Sequence, residues 1–222
     1  MSGLDYSNYG TLGVGTTVIT FPAIVAGQVI IVHADSPESL GVSNLSIAGA
    51  GATWTDINNP TGAPITFAFI GLTPTIGATS VTITAAQQNV GVGSYVISIW
   101  TFSNPIGPTF SSVNGSSNPN NVAYTTATLS YVADQVLLGA SSAYDTFASG
   151  TPPTWSNGES DNLVQYQVVG SGTRPLWVSW SRSSAAGSTT YTSPVPDTLS
   201  TGASVVVVAL GILPSNQNVM IL

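Results

Sequence analysis

The chain has 222 residues, of which 43% are hydrophobic and only 5% are charged, so it can build a core but few ionic surfaces. Lysine is absent, the two cations are Arg174 and Arg182, and nine acidic residues give a net charge of −7. Because nucleic acids and anionic membranes are bound chiefly through Lys and Arg, neither is an expected partner, and the lack of cysteine excludes disulfides and thiolate chemistry.

Strand-like runs follow one another along the whole chain, and convincing helical periodicity is not found. Clusters of Gly, Pro, Asn and Ser separate the runs, as turns between strands require. The pattern therefore predicts an all-β fold. The predicted strands are Thr16–Phe21, Gln28–Ala34, Leu45–Ala48, Ile65–Ile70, Ser80–Thr84, Tyr95–Phe102, Tyr124–Tyr131, Gln135–Ala140, Leu163–Val169, Leu176–Ser181 and Ser204–Leu213.

The second part of the chain echoes the first. Val25-Ala-Gly-Gln-Val-Ile-Ile-Val32 resembles Val132-Ala-Asp-Gln-Val-Leu-Leu-Gly139, and each segment precedes a Gly/Pro-rich loop with a tryptophan, Trp54 or Trp155. We predict two pseudo-repeated halves, residues 1–113 and 122–213, followed by a tail at 214–222. Together the halves are expected to form one compact, jelly-roll-like antiparallel β-sandwich. Chance similarity between apolar strands is the alternative.

The order of these segments resembles that of minor structural proteins of tailed bacteriophages. In that pattern a strand and Pro-x-x-x-x-Gly-Asp/Gln lead into an apolar strand, a Trp-Thr loop and three further strands, and a weaker copy follows. The matching segments are Phe21–Val32, Trp54-Thr55, Ile65–Ile70, Val81–Thr84 and Val96–Phe102, and then the second half. The resemblance implies a head-decoration, head-fibre or tail-associated subunit, commonly trimeric. The chain departs from the pattern at Gln28, where an acidic residue is common, and it lacks the usual Lys after the aromatic strand.

Residues that could support catalysis are few. His33 and Asp35 would share one face of a strand, but no Gly-x-Ser-x-Gly nucleophile elbow accompanies them. The close acidic pairs, Asp35/Glu38 and Glu159/Asp161, fall in polar segments where solvated acids are the ordinary explanation, although glycoside hydrolysis needs such a pair. We therefore expect no enzymatic activity and no cofactor.

One segment has the oxygen-rich character of a calcium loop. Asn157, Glu159 and Asp161 alternate along Asn157-Gly-Glu-Ser-Asp-Asn162, although their spacing does not match an EF-hand. These residues are weak metal-site candidates.

The tryptophans suggest packing first and ligand binding second. Trp54 and Trp155 occupy equivalent positions in the sequences of the two halves, which favours a repeated role in the core. Trp177 and Trp180 are three apart and should face opposite sides of a strand, so one of them is expected to point outward. A protein interface and, after it, a sugar-stacking platform are the alternative uses of such side chains.

The surface composition and the tail favour a subunit of an assembly. Ser, Thr, Asn and small apolar side chains lose little entropy on burial, and interface cores are depleted in charge. The tail ends in Val219, Met220, Ile221 and Leu222, which could anchor in a neighbouring subunit.

We expect a capsid decoration subunit that lies on the outer surface of a virion and is made in the host cytoplasm. Its expected partners are copies of itself, in a homotrimer, and the major capsid protein. The start of the chain shows no signal-peptide pattern, and the longest apolar run, Val205–Leu213, is about half of a membrane-spanning helix. A tail or head-fibre adhesin that binds host surface glycans is the alternative function.

Overall fold

The structure, a computed structural model, describes residues 3–13, 15–36, 45–58, 65–85, 93–103, 109–114, 123–143, 153–157, 161–167, 176–193 and 203–212. Within these ranges the regular secondary structure consists of β-strands alone, and all strand pairs are antiparallel. This confirms the predicted all-β class and the antiparallel sheets.

The strands fall into two series along the chain. The first series is β1 (Leu4–Leu12), β2 (Thr16–Thr20), β3 (Gln28–Ser36), β4 (Leu45–Gly49), β5 (Thr53–Asn58), β6 (Ile65–Leu72), β7 (Ser80–Ala85) and β8 (Gly93–Thr101). The second series is β9 (Thr109–Asn114), β10 (Leu129–Tyr131), β11 (Gln135–Ala143), β12 (Thr154–Trp155), β13 (Asp161–Gln167), β14 (Leu176–Arg182), β15 (Gly187–Thr189), β16 (Tyr191–Thr192) and β17 (Ala203–Ile212).

The first series forms a two-layer sandwich. A five-stranded sheet, β1-β8-β3-β6-β5, is covered on one face by the three-stranded sheet β2-β7-β4. Alternate residues of the strands point between the layers, because side chains in a strand have a period of two. The core between these sheets includes Ile19, Phe21, Ile30, Val32, Leu45, Phe67, Phe69, Val81, Ile83, Ile97 and Ile99.

The second series also forms a five-stranded sheet, with two smaller sheets against it. The five-stranded sheet is β13-β14-β11-β17-β9, and the two-stranded sheets β10-β15 and β12-β16 cover one of its faces. The core between them is formed by Leu129, Tyr131, Leu137, Trp155, Tyr191, Val207 and Ala209.

The two large sheets pack against each other through their remaining faces. Trp100 of β8 lies at this contact, and its ring meets that of Trp180 edge-on at 5.6 Å. Other members of the contact are Val29, Ile31, Ile70, Val136, Leu138, Val208 and Leu210. The molecule is therefore a stack of four layers, with the large sheets inside and the small sheets outside. The central strand β3 is buried on both faces, which explains its apolar run Val29–Val32.

The two large sheets have corresponding strand orders. β1, β8, β3, β6 and β5 in the first sheet occupy the places of β9, β17, β11, β14 and β13 in the second. The strand β9, most of which the sequence analysis assigned to the first half, pairs with β17 of the second sheet. The division of the chain into halves at residue 113 stays a prediction.

The repeated sequence motif corresponds to a repeated turn. In the turn Val25–Gln28 the glutamine side chain accepts a hydrogen bond from the N–H of the first residue, at 2.9 Å. The turn Val132–Gln135 contains the same bond at 3.0 Å. The third residue of each turn has a positive φ, 82° at Gly27 and 62° at Asp134. Gly and Asp are among the residues that tolerate this conformation, so both sequences can form the turn that starts β3 or β11.

Candidate interaction surface

The charged side chains that the structure describes lie in the large sheets or in their turns. They are Asp5, Asp35, Asp56, Asp134 and Arg182. None of the chain's charged residues falls in the small outer sheets formed by β2, β4, β7, β10, β12, β15 and β16. The outermost layers of the stack are therefore strands without ionic groups.

The outer face of the β2-β7-β4 sheet is a flat array of small uncharged side chains, which we call the threonine face. It consists of Thr16, Val18, Thr20, Thr82, Thr84, Ser46 and Ala48. The register places Thr16 beside Thr84, and Val18 beside Thr82. Val18, with 61% of its surface exposed, is the most apolar point of this face.

The small sheets of the second half have a similar outer face, which we call the serine–threonine face. Ser130 lies opposite Ser188, and Thr154 lies opposite Thr192. The hydroxyls of Thr125 and Thr192 are hydrogen-bonded at 2.9 Å. Short side chains of this kind lose little conformational entropy when a partner covers them, unlike Lys or Glu. Both outer layers thus have the character of a protein contact surface.

The only histidine lies deep between the two large sheets. His33 shares the face of β3 that carries Ile31, and it is fully buried. Burial lowers the pKa of His33 to about 4, so the ring is neutral at pH 7. Asp35 follows on the same face and accepts a hydrogen bond from the Ser94 N–H at 2.6 Å. Because the imidazole is buried, it cannot reach a substrate in solvent, and the pair gives no support to a catalytic triad.

The metal candidates are only partly described. Asn157 is half-buried, and its side-chain amide exchanges hydrogen bonds with the Ser181 hydroxyl at 3.0 and 3.3 Å. Asp161 begins β13, but its side chain lies outside the described part of the structure, as does Glu159. Among the described residues no three His, Asp or Glu side chains are grouped as a metal site would need. The calcium site stays a prediction.

The first pair of tryptophans lies on strands of different sheets. Trp54 lies on β5 at the edge of a large sheet, beside Gly71, and its indole N–H donates to the Gly49 carbonyl at 3.2 Å. Trp155 lies in the small sheet on β12, and its ring is 4.5 Å from that of Tyr191. The two side chains lie on different strands, but each packs in a core as predicted, Trp54 against that of the first series and Trp155 within that of the second.

The second pair of tryptophans lies on β14, and neither side chain points into solvent. Trp177 is buried, and Trp180 is half-buried against Trp100 at the contact between the large sheets. The expectation that one of them points outward is wrong, because β14 belongs to a sheet that is covered on both faces.

The apolar segment Val219, Met220, Ile221 and Leu222 lies outside the described residues, so its role as an interface stays a prediction. Within the part of the chain that the structure describes, no helix has the length and apolar character needed to cross a membrane.

Comparison of the chain with protein-family models, curated proteins and solved structures gives no match. The resemblance to phage structural proteins therefore rests on the order of strands and turns in the sequence.

Proposed function

We propose that this protein is a structural subunit of a larger assembly and that its charge-free outer faces contact partner subunits. The observation that carries the proposal is the separation of charge from these faces. The threonine face and the serine–threonine face contain hydroxyls and small apolar groups, while the described ionic groups lie in the inner sheets and their turns. Cores of protein interfaces are depleted in charge in the same way.

The assembly that we propose is a virion, with the protein as a capsid decoration subunit on the outer surface of the shell. The sequence resemblance to tailed-phage structural proteins supports this choice, and it also favours a homotrimer in contact with the major capsid protein. An acidic chain without lysine suits a position away from packaged DNA, because like charges repel.

The two halves, we propose, are copies of one ancestral unit that each follow a jelly-roll path. The corresponding strand orders and the repeated turn support this. In the first half β1 pairs with β8, β2 with β7 and β3 with β6, as in a long hairpin wrapped around a core. Since the halves pack through their large sheets, their outer faces lie on opposite sides of the molecule. One subunit can then contact partners on two sides.

The experiment is electron cryo-microscopy of particles assembled with variant subunits. Thr84→Lys places a charge on the threonine face, and we expect this variant to be lost from the particle. Ile76→Lys is the matched control, because Ile76 is 68% exposed in a turn outside that face. Full occupancy of both variants would overturn the role of the threonine face, and density on the tail alone would overturn the decoration assignment.

A glycan-binding adhesin on a tail or head fibre is less well supported. All five tryptophans lie in described ranges, and each is buried or half-buried, so they do not form an open platform for stacking on sugars. Density on the tail, together with glycan binding that is lost on substitution of a tryptophan, would establish the adhesin instead.

A further inference from the structure

The strand β2 lies at the edge of its sheet, with β7 on one side. The hydrogen bonds at its two ends show which residues face β7. The Gly15 carbonyl accepts from the Ala85 N–H at 2.8 Å, and the Phe21 N–H donates to the Thr79 carbonyl at 2.9 Å. In an antiparallel ladder the residues that exchange hydrogen bonds with one neighbour alternate along the strand. The odd-numbered residues of β2 therefore bond to β7.

The even-numbered residues Thr16, Val18 and Thr20 consequently direct their N–H and C=O groups away from β7. Across the described ranges, no strand pairs with this side of β2. All three side chains are exposed. Within the described residues, this edge thus combines backbone donors and acceptors that no other strand uses with an exposed valine at its centre.

This edge lacks the features that commonly prevent edge strands from pairing with other chains. Such features include charged side chains, proline, bulges and short length. β2 consists of five β-branched residues, contains no charge and no proline, and pairs with β7 without a register shift. By contrast, β1 carries Asp5 and a register shift, β13 carries Asp161 and two shifts, and β5 carries Asp56. The edge strands β10 and β12 have only three and two residues.

We propose that β2 pairs antiparallel with β2 of a second copy, about a twofold axis at Val18. The sequence Thr-Thr-Val-Ile-Thr is self-complementary in this arrangement, because Val18 faces Val18 and Thr16 faces Thr20. Each outward residue can exchange hydrogen bonds with its counterpart, and the two valines cover each other. The result is one continuous sheet, β4-β7-β2-β2-β7-β4, with an extended threonine face.

The proposal deepens the proposed function, on which it rests, by naming one contact between copies within the assembly. A twofold contact of this kind is isologous, so it closes after two copies and does not propagate. Two free subunits therefore form a dimer through it.

The test compares the mass of the purified full chain with that of variants, by analytical ultracentrifugation up to the solubility limit. Val18→Pro removes the outward N–H while Thr17 and Ile19 keep their bonds to β7, since proline is tolerated at an edge position that faces outward. Val18→Thr is the matched control, because it keeps both the N–H and the β-branched shape. We expect the wild type and Val18→Thr to have twice the mass of Val18→Pro.

Amide hydrogen exchange gives a second measurement on the wild type. The amides of Thr16, Val18 and Thr20 should exchange more slowly as the protein concentration rises, while those of Thr17 and Ile19 stay equally protected. If Val18→Pro does not fold, Val18→Lys serves instead, since it places like charges opposite each other across the axis and should also halve the mass.

Two results would overturn the proposal. One is a wild type that has the same mass as Val18→Pro at every concentration and whose three outward amides gain no protection as the concentration rises. The other is a self-associated wild type whose mass is unchanged by both Val18→Pro and Val18→Lys, which would assign the contact to another strand or to a partner segment. Neither result bears on particle binding, which the Thr84→Lys experiment measures separately.

Discussion

The stability of the protein should fall as the pH is lowered from 7 to 5, and His33 should be the cause. His33 is the only histidine of the chain, and it lies on β3 at the contact between the two large sheets. Neither ring nitrogen has a hydrogen-bond partner within the described part of the chain. A neutral imidazole can be held there, but a charged one cannot be solvated. The perturbation that isolates this effect is His33→Leu, which replaces the ring with an apolar side chain of similar size.

The magnitude follows from the pKa values in the two states. Burial lowers the pKa of His33 from 6.5 to about 4 in the folded protein. Between these values the unfolded chain binds a proton that the folded chain does not, so the free energy of unfolding decreases as the pH falls. The linkage removes about 2 kcal/mol between pH 7 and pH 5, and about 3 kcal/mol once the pH is below 4. Burial raises the pKa of Asp56, which acts with the opposite sign at lower pH and makes pH 5 a suitable lower limit.

The assay is denaturant unfolding at pH 7, 6 and 5. We expect His33→Leu to unfold with nearly the same free energy at all three values, and to be more stable than the wild type at pH 7 by about 1–3 kcal/mol, since two unpaired buried polar atoms are removed. Ser94→Ala is the control. It removes a buried hydroxyl that has no hydrogen-bond partner among the described residues and that does not titrate, so the free energy of unfolding should depend on pH as in the wild type. A wild type that is equally stable at pH 7 and pH 5, or a leucine variant that keeps the slope, would refute the reasoning.

Three further substitutions probe packing and charge, each measured as the free energy of unfolding in denaturant. Gly139→Ala should cost about 1–3 kcal/mol, because the new methyl group would lie 2.5 Å from the ring of the buried Tyr191; unchanged stability would contradict this packing. Trp100→Ala should cost about 3–5 kcal/mol, since it opens a cavity between the large sheets, and a loss under about 1 kcal/mol would argue against that contact. Arg182→Ala should cost less than about 1 kcal/mol, because its 2.7 Å ion pair with Asp134 is partly exposed, and a larger loss would mean that the pair is more than a surface contact.

The strands that the sequence predicts are those that bury side chains. β3, β6, β8, β11 and β17 were all predicted, because strands covered on both faces read as apolar runs. The strands that were not predicted lie at sheet edges or are very short. β1, for example, has the sequence Leu-Asp-Tyr-Ser-Asn-Tyr-Gly-Thr-Leu and is mostly exposed or half-buried. Its strand conformation depends on pairing with β8, a long-range contact that no local pattern reveals.

The sequence predicts that the candidate surface is poor in charge, but it does not predict which strands form that surface. The scarcity of charge is visible in the sequence, whereas the layer to which each strand belongs is not. The same gap explains the error for Trp177 and Trp180. Alternation along β14 correctly puts them on opposite faces, but only the stacking of layers shows that both faces are covered.

The layering of the sheets also supports the proposal that the threonine face contacts a partner. Positions between the large sheets accept few charged side chains, because an unpaired charge there would be costly. Asp35 of β3 is such a side chain, and it accepts a hydrogen bond from the Ser94 N–H. No such requirement applies to the outer face of β2 and β7, where exposed positions accept Lys or Glu with changes of about 0.5 kcal/mol or less. Thr16, Val18 and Thr84 are exposed, yet the face they share contains no ionic group. Since folding does not require that composition, it supports the proposal that this face contacts a partner strand or subunit, a role that suits an uncharged, low-entropy β surface.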